Sequence, residues 1–147
     1  MRIEATDYVD AAKERLSEAN LHYEKARSSL ALYMAGVAVE SLLRAYIRHL
    51  EPKLEAAHNL SLLLKASNLR DYTTLTEHQQ ISAAIADLAG RWRNDLRHTS
   101  NDRLRRRLKR LKLHRNIRGD FLKENCRVAI ESATVILKIG VSKWKHL

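Results

Sequence analysis

The sequence predicts an all-α protein, a bundle of four long helices with short helices between them. Of the 147 residues, 45% are hydrophobic, which is ordinary for a globular domain and far above the share in disordered chains. Four Gly and one Pro are too few for a turn-rich β-sandwich. Apolar residues recur at helical spacing, and no long run alternates with the period of a strand. The length fits one domain, residues 1–147.

The first and third predicted helices begin at polar residues. The first covers residues 4–25, and Thr6 or Asp7 is expected to cap it. The third is short, residues 60–66, and follows Asn59. A side-chain oxygen at the cap accepts a hydrogen bond from a backbone amide that has no partner within the helix.

The second predicted helix, residues 28–50, has the strongest helical pattern in the chain. Glu51 and Pro52 are expected to end it, because proline cannot continue a helix. Gly36 lies inside it, and a glycine there costs about 1 kcal/mol relative to alanine. We therefore expect another helix to approach closely at Gly36.

The fourth and last predicted helices flank the basic part of the chain. The fourth runs from about Thr76, its expected cap, to Leu96. The last begins near Asp120, just after Gly119, and extends to about Trp144. Its broad apolar stripe consists of Phe121, Leu122, Cys126, Ala129, Ile130, Ala133, Ile136 and Leu137.

The net charge of +10 belongs to one segment, residues 91–118. This segment holds twelve Lys and Arg against two Asp, and the rest of the chain holds 15 basic and 15 acidic residues. So dense a block of like charge is usually kept for an anionic partner that relieves its repulsion. A solvated loop is the alternative interpretation. Leu104, Leu108 and Leu111 share one stripe, which predicts a basic amphipathic helix.

Nucleic acid is the expected partner of this basic segment. The leucine stripe has no Trp or Phe to anchor it in a membrane. From Arg93 to Arg118 no Tyr, Trp or Phe is interleaved with the arginines, so the segment offers phosphate contacts rather than base stacking. The residues expected to bind nucleic acid are Arg91, Arg97, Arg103, Arg105, Arg106, Arg107, Lys109, Arg110 and Lys112.

Several other classes of protein do not fit the sequence. We find no apolar run of about 18 residues and no signal peptide, so we expect a cytoplasmic protein without a membrane partner. Cys126 stands alone and cannot form an internal disulfide, and no Cys and His cluster suggests a metal site. Because no Gly-rich phosphate loop is present, no cofactor is expected and an enzyme acting on a free nucleotide is disfavoured.

Arg93 and His98 form the candidate catalytic pair. RNA cleavage without a metal needs a base for the 2′-hydroxyl proton and fixed positive charge to stabilise the phosphorane, and imidazole and guanidinium groups supply both. On one continuous helix Arg93 and His98 lie about 140° apart. They converge only if the helix ends between them or a second subunit completes the site, whereas Arg91 falls close to the face of His98. Alternatively, these arginines pair with acids or phosphates without any reaction.

Three motifs, spanning residues 30–98, resemble the HEPN domain family, an all-α nucleotide- and RNA-associated module of prokaryotes and higher eukaryotes. Residues 38–45 are similar to its A-x-E-x-x-L-K-A helix, with Arg44 in place of the Lys. His58-Asn59-Leu60 and the leucines after it resemble its H-D-L-x-x-L-L step. Residues 93–98 resemble its motif of an Arg, a polar residue and, after four to six intervening residues, a His.

The resemblance implies a homodimer that binds RNA and cleaves it without metal, because the Arg and His motif of the family's ribonucleases and toxins forms such a site across a dimer. It implies that His98 is the general base or acid, that Arg93 holds the scissile phosphate, that Asn94 orients or binds, and that Arg91 or Arg97 adds charge. Cleavage would leave a cyclic phosphate. A toxin of this kind would have a nucleotidyltransferase antitoxin as its partner.

Two features leave a second interpretation open. In the toxin branch a Tyr that is nucleotidylated often stands two residues after the His, and here that position is Ser100. Another branch ends this helix with W-x-x-x-L-R-Y, which residues 92–98 match with His98 in place of the Tyr. Ribonuclease activity is not implied in that branch. The alternative is therefore a non-catalytic module that binds nucleic acid, a nucleotide or a partner protein.

Overall fold

The computed structural model describes residues 1–50 and 58–147. These ranges contain no strand, and the predicted all-α class is confirmed. The helices are α1 (Ala5–Glu24), α2 (Ser28–Leu50), α3 (Leu60–Ser67), α4 (Leu75–Ala89), α5 (Asn101–Arg110) and α6 (Phe121–Trp144), with 3-10 turns at Leu69–Tyr72 and Asn94–His98.

Helix α2 forms the centre of the core and packs against α1, α3 and α6. Its bounds are those predicted, while Glu51 and Pro52, expected to end it, lie outside the described residues. Contrary to the expectation from sequence, α2 is long and apolar enough to cross a membrane by length and composition. In the fold, 72% of that apolar window is buried, as in the core helix of a globular domain.

Gly36 lies against the indole ring of Trp92. A β-carbon at position 36 would lie 2.1 Å from the nearest ring atoms. Trp92 Nε1 donates a hydrogen bond to the carbonyl oxygen of Tyr33 at 3.1 Å. The prediction that a helix approaches Gly36 is therefore wrong, because a side chain from the segment after α4 fills that space.

Helix α6 follows its prediction and crosses α2 closely. Its cap is Asp120, whose Oδ1 accepts a hydrogen bond from the amide of Lys123 at 3.0 Å. A β-carbon at Gly140 would lie 2.4 Å from Leu42 Cδ2. The carbonyl oxygen of Gly140 also accepts a hydrogen bond from the Tyr46 hydroxyl at 2.6 Å. Glycine at 140 thus permits close packing of the two longest helices.

The caps of α1 and α3 differ in how well the sequence predicts them. Glu4 caps α1, not Thr6 or Asp7. Asp7 lies in the first turn, where its carboxylate accepts a hydrogen bond from the Glu4 amide at 2.7 Å. Asn59 caps α3 as predicted, and its Oδ1 accepts a hydrogen bond from the amide of Leu62 at 3.1 Å.

Helix α4 is displaced from its predicted bounds at both ends. Thr74, not Thr76, is its cap. The helix ends at Ala89, well before the predicted end at Leu96. Trp92 is only 5% exposed, so the chain leaves the helix where its indole enters the core beside α2. A tertiary contact thus ends a helix that the local apolar pattern would have continued.

Helix α5 is the basic amphipathic helix that the sequence predicts. The Ser100 hydroxyl caps it by accepting a hydrogen bond from the Arg103 amide at 3.1 Å. Leu104 and Leu108 are fully buried. Leu111 is 46% exposed, because the helix ends at Arg110. The predicted stripe of three leucines therefore contains two.

Candidate functional site

A cavity of about 190 Å³ opens between the second 3-10 turn and α5. It is lined by Arg93, Asp95, Leu96, His98, Thr99, Arg103, Arg107 and Arg110, and it is hereafter the arginine cavity. Arg93 and His98 both face it because α4 ends before them and the chain then coils as a 3-10 turn. The structure thus brings two of the three predicted catalytic residues together within one chain.

Local hydrogen bonds and one buried leucine hold the turn that carries these residues. Leu96 is 1% exposed, and its amide donates to the carbonyl oxygen of Arg93 at 3.2 Å. The Thr99 hydroxyl donates to the carbonyl oxygen of Asp95 at 3.0 Å. The side chains on the outer side of the turn are therefore displayed from a fixed backbone.

His98 is exposed and has one polar contact, with its neighbour in sequence. Arg97 Nε donates a hydrogen bond to His98 Nε2 at 3.0 Å. A neutral imidazole that accepts a hydrogen bond at Nε2 carries its proton on Nδ1. Arg97 does not line the arginine cavity, and neither does half-buried Asn94, the third predicted catalytic residue.

An acidic residue lies among the arginines of the cavity. Asp95 Oδ2 is 3.2 Å from Arg93 Nη2. Burial lowers the pKa of Arg107, as does repulsion from Arg93 and Arg110, and Asp95 partly opposes this shift. The charged form of Arg107 is therefore disfavoured by its surroundings, and an anion bound in the cavity would relieve the repulsion.

Arg91, predicted to bind nucleic acid and to share a face with His98, points elsewhere. Its Nε donates to Asn125 Oδ1 at 2.9 Å, and its Nη1 donates to the carbonyl oxygen of Asp87 at 2.8 Å. Burial lowers the pKa of Arg91. The guanidinium therefore joins α4 to α6, while the Arg91 carbonyl oxygen accepts a hydrogen bond from Arg107 Nη1 at 2.7 Å.

The remaining predicted binding residues of the segment lie outside the cavity. Arg105 pairs with Asp102 at 2.7 Å. Lys109 lies 5.8 Å from the ring centroid of Phe121. Arg106, Lys109 and Lys112 are exposed. Arg103, Arg107 and Arg110 of α5 line the cavity, so the positive charge continues from the cavity onto the exposed side of this helix. That side, with Arg106 and Lys109, is hereafter the basic face.

Sequence reasoning missed the residue that positions α5. Asn101 Oδ1 accepts a hydrogen bond from the amide of Ser29 at 3.0 Å, and Asn101 Nδ2 donates to the carbonyl oxygen of Ala26 at 3.3 Å. Both partners are more than 70 residues away along the chain. No local pattern in the sequence indicates these long-range bonds.

The first two family-like motifs meet in a network separate from the cavity. Glu40 is 6% exposed, and its Oε1 accepts hydrogen bonds from Arg44 Nε at 3.1 Å and Nη2 at 2.9 Å. His58 Nδ1 lies 2.5 Å from the same oxygen. The buried carboxylate thus connects α2 to the segment that begins α3, which gives these motif residues a structural role.

A larger groove of about 920 Å³ lies between α4 and α6. Glu77 lines the groove and forms an ion pair with Lys143 at 3.0 Å. It contains none of the predicted site residues. Throughout residues 1–50 and 58–147, no group of three or more His, Cys, Asp or Glu side chains is placed to hold a metal ion.

Comparison with known proteins agrees with the motifs and with the helical fold. The model of the HEPN domain matches residues 5–144, which include helices α1 to α6 and all three motifs. No curated protein and no solved structure gives a significant match. The chain belongs to the HEPN domain family.

Proposed function

We propose that this HEPN domain binds RNA in the arginine cavity and along the basic face of α5, and cleaves it without a metal ion. The observation that carries the proposal is the convergence of Arg93, His98 and three arginines of α5 on one cavity. Its volume of about 190 Å³ suits a phosphate with part of its ribose. Guanidinium groups bind phosphate oxygens well because their donors are planar and paired.

The proposed reaction is attack of a ribose 2′-oxygen on the adjacent phosphorus. His98 accepts the 2′-hydroxyl proton as the O2′–P bond forms, and Arg93 with Arg107 stabilises the added negative charge of the phosphorane. The P–O5′ bond breaks in the same step, and the leaving oxygen takes a proton from a general acid. The products are a 2′,3′-cyclic phosphate and a 5′-hydroxyl end.

A second copy of the chain completes this scheme. One imidazole cannot both accept the first proton and donate the second in the same step, so we propose a homodimer in which each subunit contributes a His98. A cytoplasmic toxin restrained by a nucleotidyltransferase partner remains part of the proposal. Modification at the position of Ser100 is not part of it, because that hydroxyl caps α5.

One observation favours the alternative of a binding module without catalysis. Trp92 and Leu96 are 5% and 1% exposed, so the spacing shared with the W-x-x-x-L-R-Y branch is explained by core packing. In such a module His98 would stand at the Tyr position of that pattern, and Arg93 and His98 would only contact phosphates.

Cleavage in EDTA separates the two functions. End-labelled tRNA and a generic single-stranded RNA are incubated with wild type, His98→Ala and Arg93→Ala, with His146→Ala as the matched control because His146 is exposed near the C-terminus. The proposal predicts cyclic-phosphate ends with wild type and His146→Ala. It predicts a loss of about 10²- to 10⁴-fold in rate for His98→Ala, with RNA binding retained. RNA that is bound but left intact by wild type, or cut equally by His98→Ala, would support the binding module.

A further inference from the structure

A second cavity, of about 470 Å³, lies where the end of α1 meets the loop before α6. It is lined by Tyr23, Asn116, Ile117, Arg118, Asp120, Lys123 and Glu124, and it is hereafter the tyrosine cavity. We propose that it binds one nucleobase of a single-stranded RNA by stacking on the Tyr23 ring. This inference rests on the proposed function, because the RNA is the one whose phosphates occupy the arginine cavity.

Tyr23 offers a ring that is both held and reachable. It is half-buried and packs against the core, so little conformational freedom is lost when a base stacks on it. Lys123 Nζ lies over this ring, 5.7 Å from its centroid, so a stacking base takes the place of the ammonium, which can then contact a phosphate or a base carbonyl at the edge of the ring. Base stacking on an aromatic side chain is a general device of proteins that bind single strands.

The polar groups of the tyrosine cavity suit the edge of a base more than a phosphate. The Asn116 side chain supplies both a donor and an acceptor. Asp120 uses Oδ1 to accept a hydrogen bond from the Lys123 amide, and its second oxygen can accept from an exocyclic amino group. Glu124 is bound by Arg127 at 2.6 Å. Two carboxylates here contrast with the arginine cavity, where four arginines face one acid.

The chain itself connects the two cavities with positive charge. Arg110 lines the arginine cavity and Arg118 lines the tyrosine cavity. Between them along the chain, Lys112 and Arg115 are exposed, and exposed cations of this kind can follow an RNA backbone from one cavity to the other.

The tyrosine cavity places an aromatic ring beside the basic segment. After Trp92 the basic segment contains no Tyr, Trp or Phe, so stacking was not expected from it. The fold supplies the ring from α1, because the end of that helix packs beside the start of α6. Aromatic and basic residues that are far apart in sequence thus share one cavity.

Binding of a short fluorescein-labelled single-stranded RNA tests the proposal. Anisotropy titrations use a His98→Ala parent, so that RNA stays intact, and compare Tyr23→Ala, Tyr23→Phe and the matched control Tyr8→Ala from the same helix. Tyr23→Ala is expected to weaken binding by about five- to a hundredfold, while Tyr23→Phe and Tyr8→Ala bind like the parent. The salt dependence should stay unchanged in Tyr23→Ala, because stacking releases no counterions.

The outcomes separate this site from the proposed function. If Tyr23→Ala binds as tightly as the parent, the stacking site is overturned and RNA binding stands. If the parent itself binds no RNA, both are overturned. Should Tyr23→Ala fail to fold, wild type is photo-crosslinked to RNA containing 4-thiouridine and the adducts are mapped by mass spectrometry. A crosslink at Tyr23 supports the site, and crosslinks confined to other peptides overturn it.

Discussion

Arg97 Nε donates a hydrogen bond to His98 Nε2 at 3.0 Å. The two residues are adjacent in the 3-10 turn, and the contact engages the one lone pair that a neutral imidazole has available as a base. In this arrangement Arg97 orients the ring and fixes its tautomer. This hydrogen bond must break when His98 takes a proton from RNA, so Arg97 stabilises the site in the absence of RNA.

The tautomer of His98 is the first prediction. In wild type at alkaline pH, where the ring is neutral, we expect the proton on Nδ1, and in Arg97→Ala we expect it to shift toward Nε2. Two-dimensional ¹⁵N NMR of the histidine rings measures the two nitrogens separately. Exposed His146 serves as the internal reference. The same tautomer in wild type and Arg97→Ala would contradict a role for this hydrogen bond in solution.

Asp95 is expected to compete with RNA phosphate for the arginine cavity. Because its carboxylate lies 3.2 Å from Arg93 Nη2, Asp95→Asn leaves one more guanidinium charge for the ligand. RNA affinity at low salt should rise by a few-fold, and the salt dependence should steepen by about one phosphate contact. Fluorescence anisotropy over a range of salt concentrations measures both quantities.

Asp102→Asn is the matched control for this prediction. Asp102 belongs to the same basic segment but pairs with Arg105 outside the cavity. Asp102→Asn changes the net charge by the same amount as Asp95→Asn. Because the guanidinium that it frees lies outside the cavity, it should raise RNA affinity less than Asp95→Asn does. Equal effects of the two substitutions would show that only the total charge matters and that Asp95 has no special position.

Elements with local signals were predictable, and those decided by tertiary contacts were not. Helices α2 and α6 were predictable from apolar spacing, and the start of α6 from its position just after Gly119. The end of α4 was not, because the indole of Trp92 leaves the helix to fill the space over Gly36. The local pattern places Trp92 at a helical position, but it does not show that this side chain packs against Gly36 of α2.

The candidate site was likewise predictable only where the signal is local. The spacing of Arg93 and His98 indicated that they act together, and the resemblance to the family motif implied cleavage of RNA without a metal. Which basic residues of α5 face that pair depends on Asn101, which is hydrogen-bonded to Ala26 after α1 and to Ser29 in the first turn of α2. Arg91 turned out to be bonded to Asn125 of α6, a partner that lies 34 residues along the chain. Long-range hydrogen bonds therefore decided the composition of the cavity.

Gly36→Ala is expected to destabilise the fold. Its β-carbon would lie 2.1 Å from the Trp92 indole, and neither α2 nor the ring can move without disturbing the core. Overpacking of this kind typically costs about 1–3 kcal/mol, and sometimes more. Urea unfolding followed by circular dichroism measures the free energy of unfolding.

Gly90→Ala provides the comparison for that experiment. Gly90 has helical backbone angles at the end of α4, and the nearest atom to an added β-carbon is the Ala86 carbonyl oxygen at 3.4 Å. Since alanine also reduces the entropy of the unfolded chain, this variant should be neutral or slightly more stable. A Gly36→Ala protein as stable as Gly90→Ala would contradict the packing of Trp92 on Gly36.

The Cys126 thiol is expected to be unreactive in the folded protein. It is 0% exposed, and burial raises its pKa to about 12. Sγ also donates to the carbonyl oxygen of Ser28 at 3.1 Å. Only the thiolate is an effective nucleophile. At pH 8, a disulfide reagent should therefore label almost no protein until urea unfolds it, when one thiol per chain reacts. Rapid labelling of the folded protein would contradict this burial.

The same shift makes stability depend on pH in a defined direction. An unfolded thiol ionises near pH 8.5, whereas the folded one keeps its proton until about pH 12. The unfolded state therefore binds fewer protons between these values, and the free energy of unfolding should fall as the pH rises, by up to about 1.4 kcal/mol per pH unit. Urea unfolding of wild type and Cys126→Ala between pH 7 and about 10 isolates this contribution, because the variant lacks the thiol. The stability difference should shift in favour of Cys126→Ala at the higher pH, and a difference independent of pH would mean that the thiol ionises alike in both states.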